Sequence, residues 1–205
     1  METDFWQTST SDDPVVLWDE LWKSLERSVH NRKGPFRTVT VATVRDGAPE
    51  ARTVVLRAAD RDAKTLVFHV DRRSPKVEDM RRAPRVAILG YAVEQRLQFR
   101  LRGLAQVETD TARVEAHWDK SARSCFRTYL GSLPPGAPCA SATAHFPAHT
   151  VGRPPTDVEL ATARRNFGLV VVTASEIEIL VLRAAGHRRL QWRADAEWQA
   201  RWLAP

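Results

Sequence analysis

The chain has 205 residues, of which 43% are apolar and 27% charged, a balance that suits one globular domain with a buried core and excludes a disordered chain. No apolar run approaches the roughly 20 residues of a membrane-spanning helix, and the polar start (Glu2, Asp4, Asp12, Asp13) is unlike a secretory leader. The net charge is +6, with 26 arginines to 5 lysines. Such a balance fits a nucleic acid, a membrane surface or a small anionic ligand as partner, or a plain compositional bias toward arginine.

Residues 1–12 read as a loose arm. Asp13-Pro14 then opens a helix, with Asp as cap and Pro in the first turn, and Trp18, Leu21, Trp22, Leu25 and Val29 form its apolar stripe. Alternating β-branched runs follow. Phe36 to Val44 and Pro49 to Arg57 are two strands joined by an Asp46-Gly47 hairpin turn, and Thr65 to Val70 is a third. A short helix from Ser74 stops before Pro84. Arg85 to Val93 and Arg96 to Glu108 make a fourth and fifth strand. Thr109 to about Leu130 is predicted as one helix, Gly131 to Pro155 as a long loop rich in Pro, Ala and Gly, and Thr156 to Asn166 as a short helix. Phe167 to Ala174 and Glu176 to Arg183 are predicted as two separate strands, with shorter runs at Arg189 to Ala194 and Trp198 to Leu203. Six or seven short strands with brief turns argue for a mainly β (α+β) fold, a barrel with peripheral helices.

Three segments could carry chemistry. Arg73-Ser74-Pro75-Lys76 places a capping serine, a first-turn proline and two cations at a helix start, where backbone N–H groups and the helix dipole favour an anion such as phosphate. Arg52 and Arg57 bracket the apolar Thr53, Val54, Val55 and Leu56, and arginine suits phosphate through its planar fork. Positions five apart on a regular strand face opposite sides, so both arginines reach one anion only if the strand twists, bulges or ends there. From Arg96 to Gly103, Leu97, Phe99 and Leu101 alternate with Arg96, Gln98, Arg100 and Arg102. One face is core. The other is either a solvated cationic face or a ligand face on which the Gln98 amide could bond the edge of a heterocycle.

Other features are weaker. His145 and His149 flank Pro147 and make a poor metal pair, and His69 faces either a ligand or the surface. Cys125 and Cys139 are too few for a disulfide scaffold and are expected as free thiols of a cytoplasmic protein. No catalytic acid, base or nucleophile can be assigned. A nucleic-acid-binding barrel remains an alternative, but aromatics are not interleaved with the basic residues as base stacking needs.

Taken together, Arg52-x-x-x-x-Arg57, Phe68-His69-x-x-x-x-Ser74-x-Lys76 and Gln98-x-Arg100-x-x-Gly103 resemble the pyridoxamine 5′-phosphate oxidase family, and more narrowly its branch of oxidase-related FMN-binding proteins. Phe36-Arg37-Thr38 and the closing Trp202-Leu203-Ala204-Pro205 add to the likeness. The resemblance implies a single FMN-binding split-barrel domain, a homodimer with FMN sites at its interface, and oxidoreductase chemistry. A non-catalytic module for a flavin or another planar ligand is the alternative. It implies that Arg52 and Arg57, with Ser74, Lys76 and Arg73 beside them, bind the FMN phosphate. Thr53 to Leu56 would lie along the flavin, His69 and Val70 would make further contacts, and Gln98 would reach the ring edge. Arg193 would come from the other subunit. Where the oxidases carry Arg-Leu-His-Asp-Arg for their substrate, this chain reads Arg189-Leu190-Gln191-Trp192-Arg193, and Arg183 stands near the place of an expected tryptophan. The resemblance therefore extends to the cofactor more firmly than to the vitamin phosphate substrate.

Overall fold

A computed structural model describes residues 5–8 and 10–205. The expected arm lies partly outside the described residues, at positions 1–4 and 9. Within it, Phe5–Thr8 forms a helical turn (α1) whose Trp6 is buried and donates from Nε1 to Ser24 Oγ at 3.2 Å. Helix α2 (Pro14–His30) starts as its sequence dictates: Asp13 Oδ1 accepts from Val15 N at 2.8 Å, and Leu17, Leu21, Trp22 and Leu25 are buried.

The chain divides into two compact units, one of Met1–Phe68, Ala83–Ala105 and Val171–Pro205, the other of His69–Arg82 and Gln106–Val170. The strands are β1 (Thr38–Arg45), β2 (Ala48–Asp60), β3 (Thr65–Asp71), β4 (Arg85–Ala92), β5 (Leu97–Glu108), β6 (Phe167–Val181), β7 (Arg188–Arg193) and β8 (Ala200–Leu203). They run in the order β3-β2-β1-β4-β5-β6-β7-β8, and a further β3–β6 pairing closes the first six into an antiparallel barrel. Closure abolishes the sheet edges that would otherwise stand unpaired. Asp46 and Gly47, both at positive φ (51° and 81°), make the β1–β2 hairpin turn that the Asp-Gly pair demands.

Most of the barrel belongs to the first unit; the ends of β3 and β5 and the start of β6 belong to the second. The barrel core centres on Phe36 and Phe99, whose rings meet edge to face at 4.9 Å, with Leu56, Leu66, Ile88, Leu97 and Leu101 around them. Burial alternates strictly along β4 and nearly so along β5. Gly90 pairs with Phe99, and a Cβ at Gly90 would stand 2.1 Å from the Phe99 ring.

Two expectations fail locally. The stretch after Thr109 is not one helix but α4 (Ala112–Asp119) and a 3₁₀ segment (Arg123–Tyr129). The break follows Lys120, where Ser121 N bonds the Trp118 carbonyl and Ser121 Oγ takes the His117 carbonyl. Conversely, β6 runs unbroken through Ser175, because that residue stays in the sheet and its hydroxyl donates to the Arg102 carbonyl.

The second unit comprises α3 (Pro75–Arg82), α4, the 3₁₀ segment, the loop that follows it and α5 (Asp157–Asn166). Its centre is Phe167, fully buried, with its ring against those of His69, Trp118, Phe126 and Tyr129. Trp118 stacks on Phe126 at 3.6 Å.

Candidate functional site

In the barrel unit, β2 carries Arg52 to Arg57. Register separates the two arginines. Arg52 lies in a row with Val41, Ile88 and Leu101, all buried, and so is on the inner face. Its guanidinium donates to Thr43 Oγ1 at 2.6 Å and to the Glu50 carbonyl at 3.2 Å, leaning toward the hairpin and away from Arg57. Thr53 lies in the opposite row, with Thr40, Leu89 and Arg100, on the outer face. Val55 and Gln98, two residues along the same strands, share that outer face. Val54 is half-buried and Leu56 fully buried, so Leu56 can offer a ligand only its backbone.

The pairing of β2 with β3 shifts between Leu56 and Ala58, a β-bulge with Arg57 as its extra residue. Bulges re-aim a side chain relative to regular alternation. The Arg57 Nε is buried and has no hydrogen-bond partner among the described residues. A buried guanidinium nitrogen without an acceptor is costly, and an arriving anion removes that cost.

Gln98 is half-buried and pairs with the exposed Tyr91 across β4–β5. Next on the outer face, Arg100 and Arg102 meet carboxylates of β6: Arg100 Nη1 is 3.6 Å from Glu178 and Arg102 Nη1 is 3.6 Å from Glu176. Glu178 is buried and also accepts from Arg189 Nη2 at 3.1 Å, while Arg189 Nε is buried without a partner among the described residues. Arg193, at the end of β7, pairs with Glu176 in the ladder and its guanidinium contacts Asp195.

In the second unit the cationic turn has a tight internal order. Asp71, buried at the end of β3, accepts from the backbone N of Arg73 at 2.9 Å, from its Nε at 3.0 Å and from its Nη2 at 2.7 Å. The same carboxylate hydrogen bond raises the Arg73 pKa above its ordinary value. Arg73 Nη1 donates to the Gly131 carbonyl at 2.8 Å. Ser74 is buried, its N donating to the Asp71 carbonyl at 2.9 Å, and Lys76 Nζ donates to Ser74 Oγ at 3.1 Å on the first turn of α3. The hydroxyl and the ammonium thus stand together beside the helix start, a donor pair that suits a phosphate. His69 Nε2 and His117 Nδ1 are 3.2 Å apart, one donating and the other accepting. Val70 is buried, leaving its backbone as its contribution. Sequence reasoning missed His117, which lies 48 positions from His69, and missed Asp71, which an Asx turn two residues before Arg73 could have revealed.

A family model described as pyridoxamine 5′-phosphate oxidase, FMN-binding domain, matches residues 19–109. The pyridoxine/pyridoxamine 5′-phosphate oxidase of Azorhizobium caulinodans is 30% identical over 156 residues, which cover 72% of this chain and 71% of that protein. The chain belongs to the pyridoxamine 5′-phosphate oxidase family. The enzyme of the same name from Caulobacter vibrioides is 32% identical over 115 residues; that match covers 56% of this chain and spans about half, 49%, of the relative. Among solved structures, a pyridoxamine 5′-phosphate oxidase-related, FMN-binding protein from Nostoc punctiforme superposes with a TM-score of 0.70 at 24% identity, covering 96% of this chain and 100% of that one. PhzG from Burkholderia lata, in complex with tetrahydrophenazine-1-carboxylic acid, gives 0.64 at 16% identity, with 98% and 96% covered. Both likenesses are of fold, and the barrel is the split barrel of this oxidase family. The family match takes in every expected contact from Arg52 to Gln98 and stops short of Arg193.

Proposed function

We propose that this member of the oxidase family binds FMN and serves as an FMN-dependent oxidoreductase. The observation that carries the reading is Arg57, set in a β-bulge within the matched region with its Nε buried and unpartnered among the described residues. Arg57, Ser74 and Lys76 are the proposed phosphate ligands. Thr53 and Val55, with the backbone at Val54 and Leu56, would line the flavin. Gln98 would bond the ring edge, and His69 and Val70 would add contacts. Arg193 is assigned to the site of a second copy. Arg52, whose Nη1 donates to Thr43 and the Glu50 carbonyl, is kept as a proposed contact of the same site.

FMN, when bound, supplies two-electron redox chemistry; the chain's own part is to bind and orient it. Arg189 Nε, without a partner among the described residues, favours a substrate that carries an anionic group, so pyridoxamine 5′-phosphate is the first to test. We also infer a homodimer. The outer face of β1, β4 and β5 exposes Leu89 and Tyr91, and Val44 and Leu104 line a groove of about 520 Å³ on it, an apolar surface of the kind a second copy covers.

The test is the visible spectrum of the purified protein, followed by heat release of any ligand and titration with FMN. Stoichiometric FMN is expected, and Arg57→Ala should weaken binding about 10- to 100-fold, the loss of a charge-assisted hydrogen bond. A colourless protein that takes up no added FMN would overturn the reading. A flavin-loaded protein inert toward every amine and phosphate ester tried would leave FMN binding standing and remove the oxidoreductase part.

A further inference from the structure

We infer that Arg73 is not a phosphate ligand but a positioning residue, a bracket that fastens the start of the 131–155 loop to the turn bearing Ser74 and Lys76. The inference rests on the FMN reading for the role of that turn. Its geometry stands independently.

Each of the three guanidinium nitrogens already donates. Nε and Nη2 form the two-pronged bond to Asp71, and Nη1 reaches the Gly131 carbonyl. Asp71 is buried, and its Oδ1 also holds the backbone N of Arg73, so the side chain is fixed at both ends of its own turn. Three of its five N–H donors are used in this way, and turning the guanidinium to fork a phosphate would break the Asp71 bond and leave a buried carboxylate unmatched, which costs more than a surface contact returns.

The far end of the bracket is equally specific. Gly131 lies where the loop folds back on itself: a Cβ there would stand 2.7 Å from both Nε2 and the carbonyl oxygen of His145. His145 takes a left-handed backbone, φ 61°, to reach that position. Further along, Gly136 comes near the Pro75 ring, where a Cβ would be 3.8 Å from Cγ. Holding Gly131 therefore holds two strands of the loop at once, and both are referred to the turn at Ser74 and Lys76. Only arginine can do this, because the link needs a planar fork on Asp71 and a third donor aimed elsewhere. The bracket couples the order of the loop to the shape of the turn.

The experiment compares FMN with riboflavin, which lacks the phosphate, and follows amide hydrogen exchange over residues 131–147. In Lys76→Ala the preference for FMN over riboflavin should fall about tenfold or more. In Arg73→Ala that preference should stay within about threefold of the unmodified protein, while exchange in the loop quickens about tenfold or more. Arg73→Lys keeps the charge but cannot span both acceptors, so its loop should exchange as fast as in Arg73→Ala. If Arg73→Ala fails to fold, Asp71→Asn removes the fork's acceptor charge with little change of shape and should give the same two readings. An FMN preference lost in Arg73→Ala and restored in Arg73→Lys would make Arg73 a phosphate ligand and overturn the inference. Unchanged loop exchange would overturn it as well. An unmodified protein with no preference for FMN over riboflavin would sink the FMN reading instead, and the exchange data would still judge the bracket.

Discussion

Gly90→Ala tests how the barrel core holds the face on which Gln98 sits. Gly90 pairs with Phe99 across β4–β5, and an added methyl would stand 2.1 Å from Phe99 Cε1 and 2.9 Å from Phe36 Cδ1. Neither ring can swing aside cheaply, because both are fully buried and already packed edge to face at 4.9 Å. Overpacking of this kind costs roughly 1–3 kcal/mol, and disturbing the aromatic pair adds about 0.5–1.5 kcal/mol. The lower entropy of an unfolded alanine returns about 0.4–1 kcal/mol. The net expectation is a loss of about 2 kcal/mol, read as a lowered urea midpoint at unchanged slope. Phe99→Leu in the same chain should recover part of that loss, since the clash is with the ring, so the double mutant should be more stable than the sum of the single changes. A Gly90→Ala protein within about 0.5 kcal/mol of the parent would refute the reasoning. So would strict additivity with Phe99→Leu.

Leu89→Glu places a carboxylate in the middle of the exposed apolar face, where Leu89 is 42% exposed, and should turn a dimer into a folded monomer in sedimentation velocity. A parent protein that already sediments as a monomer would dispose of the homodimer. Glu159 is held below its ordinary carboxyl pKa of 4.5 first by the hydrogen bond from Arg153 and then by the backbone N–H of Thr156. A depressed folded-state pKa gives stability that is complete above 4.5 and declines as the pH falls below it. Glu159→Gln should therefore lower the melting temperature at neutral pH, and the gap should close on acidification. A gap independent of pH would show that the carboxylate charge plays no part.

The barrel is legible because its determinants are local and repeated. An Asp-Gly pair specifies the hairpin turn, and strict alternation along β4 and β5 specifies which side chains face inward. Ser175 and Ser121 show where such reading fails. Each is a small polar residue that by its type alone neither continues nor ends the element it lies in or beside. The first donates to a neighbouring strand and leaves β6 intact, whereas the second donates back along its own chain and α4 ends there. The choice depends on whether a partner strand is present, which tertiary structure decides. The same limit applies to the site. The residue types at 52–57 and 73–76 announce an affinity for anions, but the bulge at Arg57 is a property of the β2–β3 register, and the His69–His117 contact joins segments far apart in the chain.

The arginine excess suggests an open cationic surface, and the structure answers it one guanidinium at a time. Arg100 and Arg102, the stripe that a nucleic acid would read, face Glu178 and Glu176 on the next strand. Arg153 and Arg164 are spent on Glu159 and Glu115, and Arg73 on Asp71. Pairing of this kind takes those five guanidinium groups out of the set of free cations that a phosphate backbone would bind through. What the pairing leaves over is more selective. Arg57, Arg127 and Arg189 each keep a buried Nε with no acceptor among the described residues, Arg57 in the bulge of β2 and Arg189 on β7 beside Glu178. A donor that is both buried and unmatched discriminates by shape as well as by charge, because only a ligand that reaches the nitrogen recovers the cost of leaving it bare. On the proposed reading, Arg57 in the barrel and Arg189 on β7 favour discrete anionic groups, a phosphate and a charged substrate, over adhesion to a polyanion.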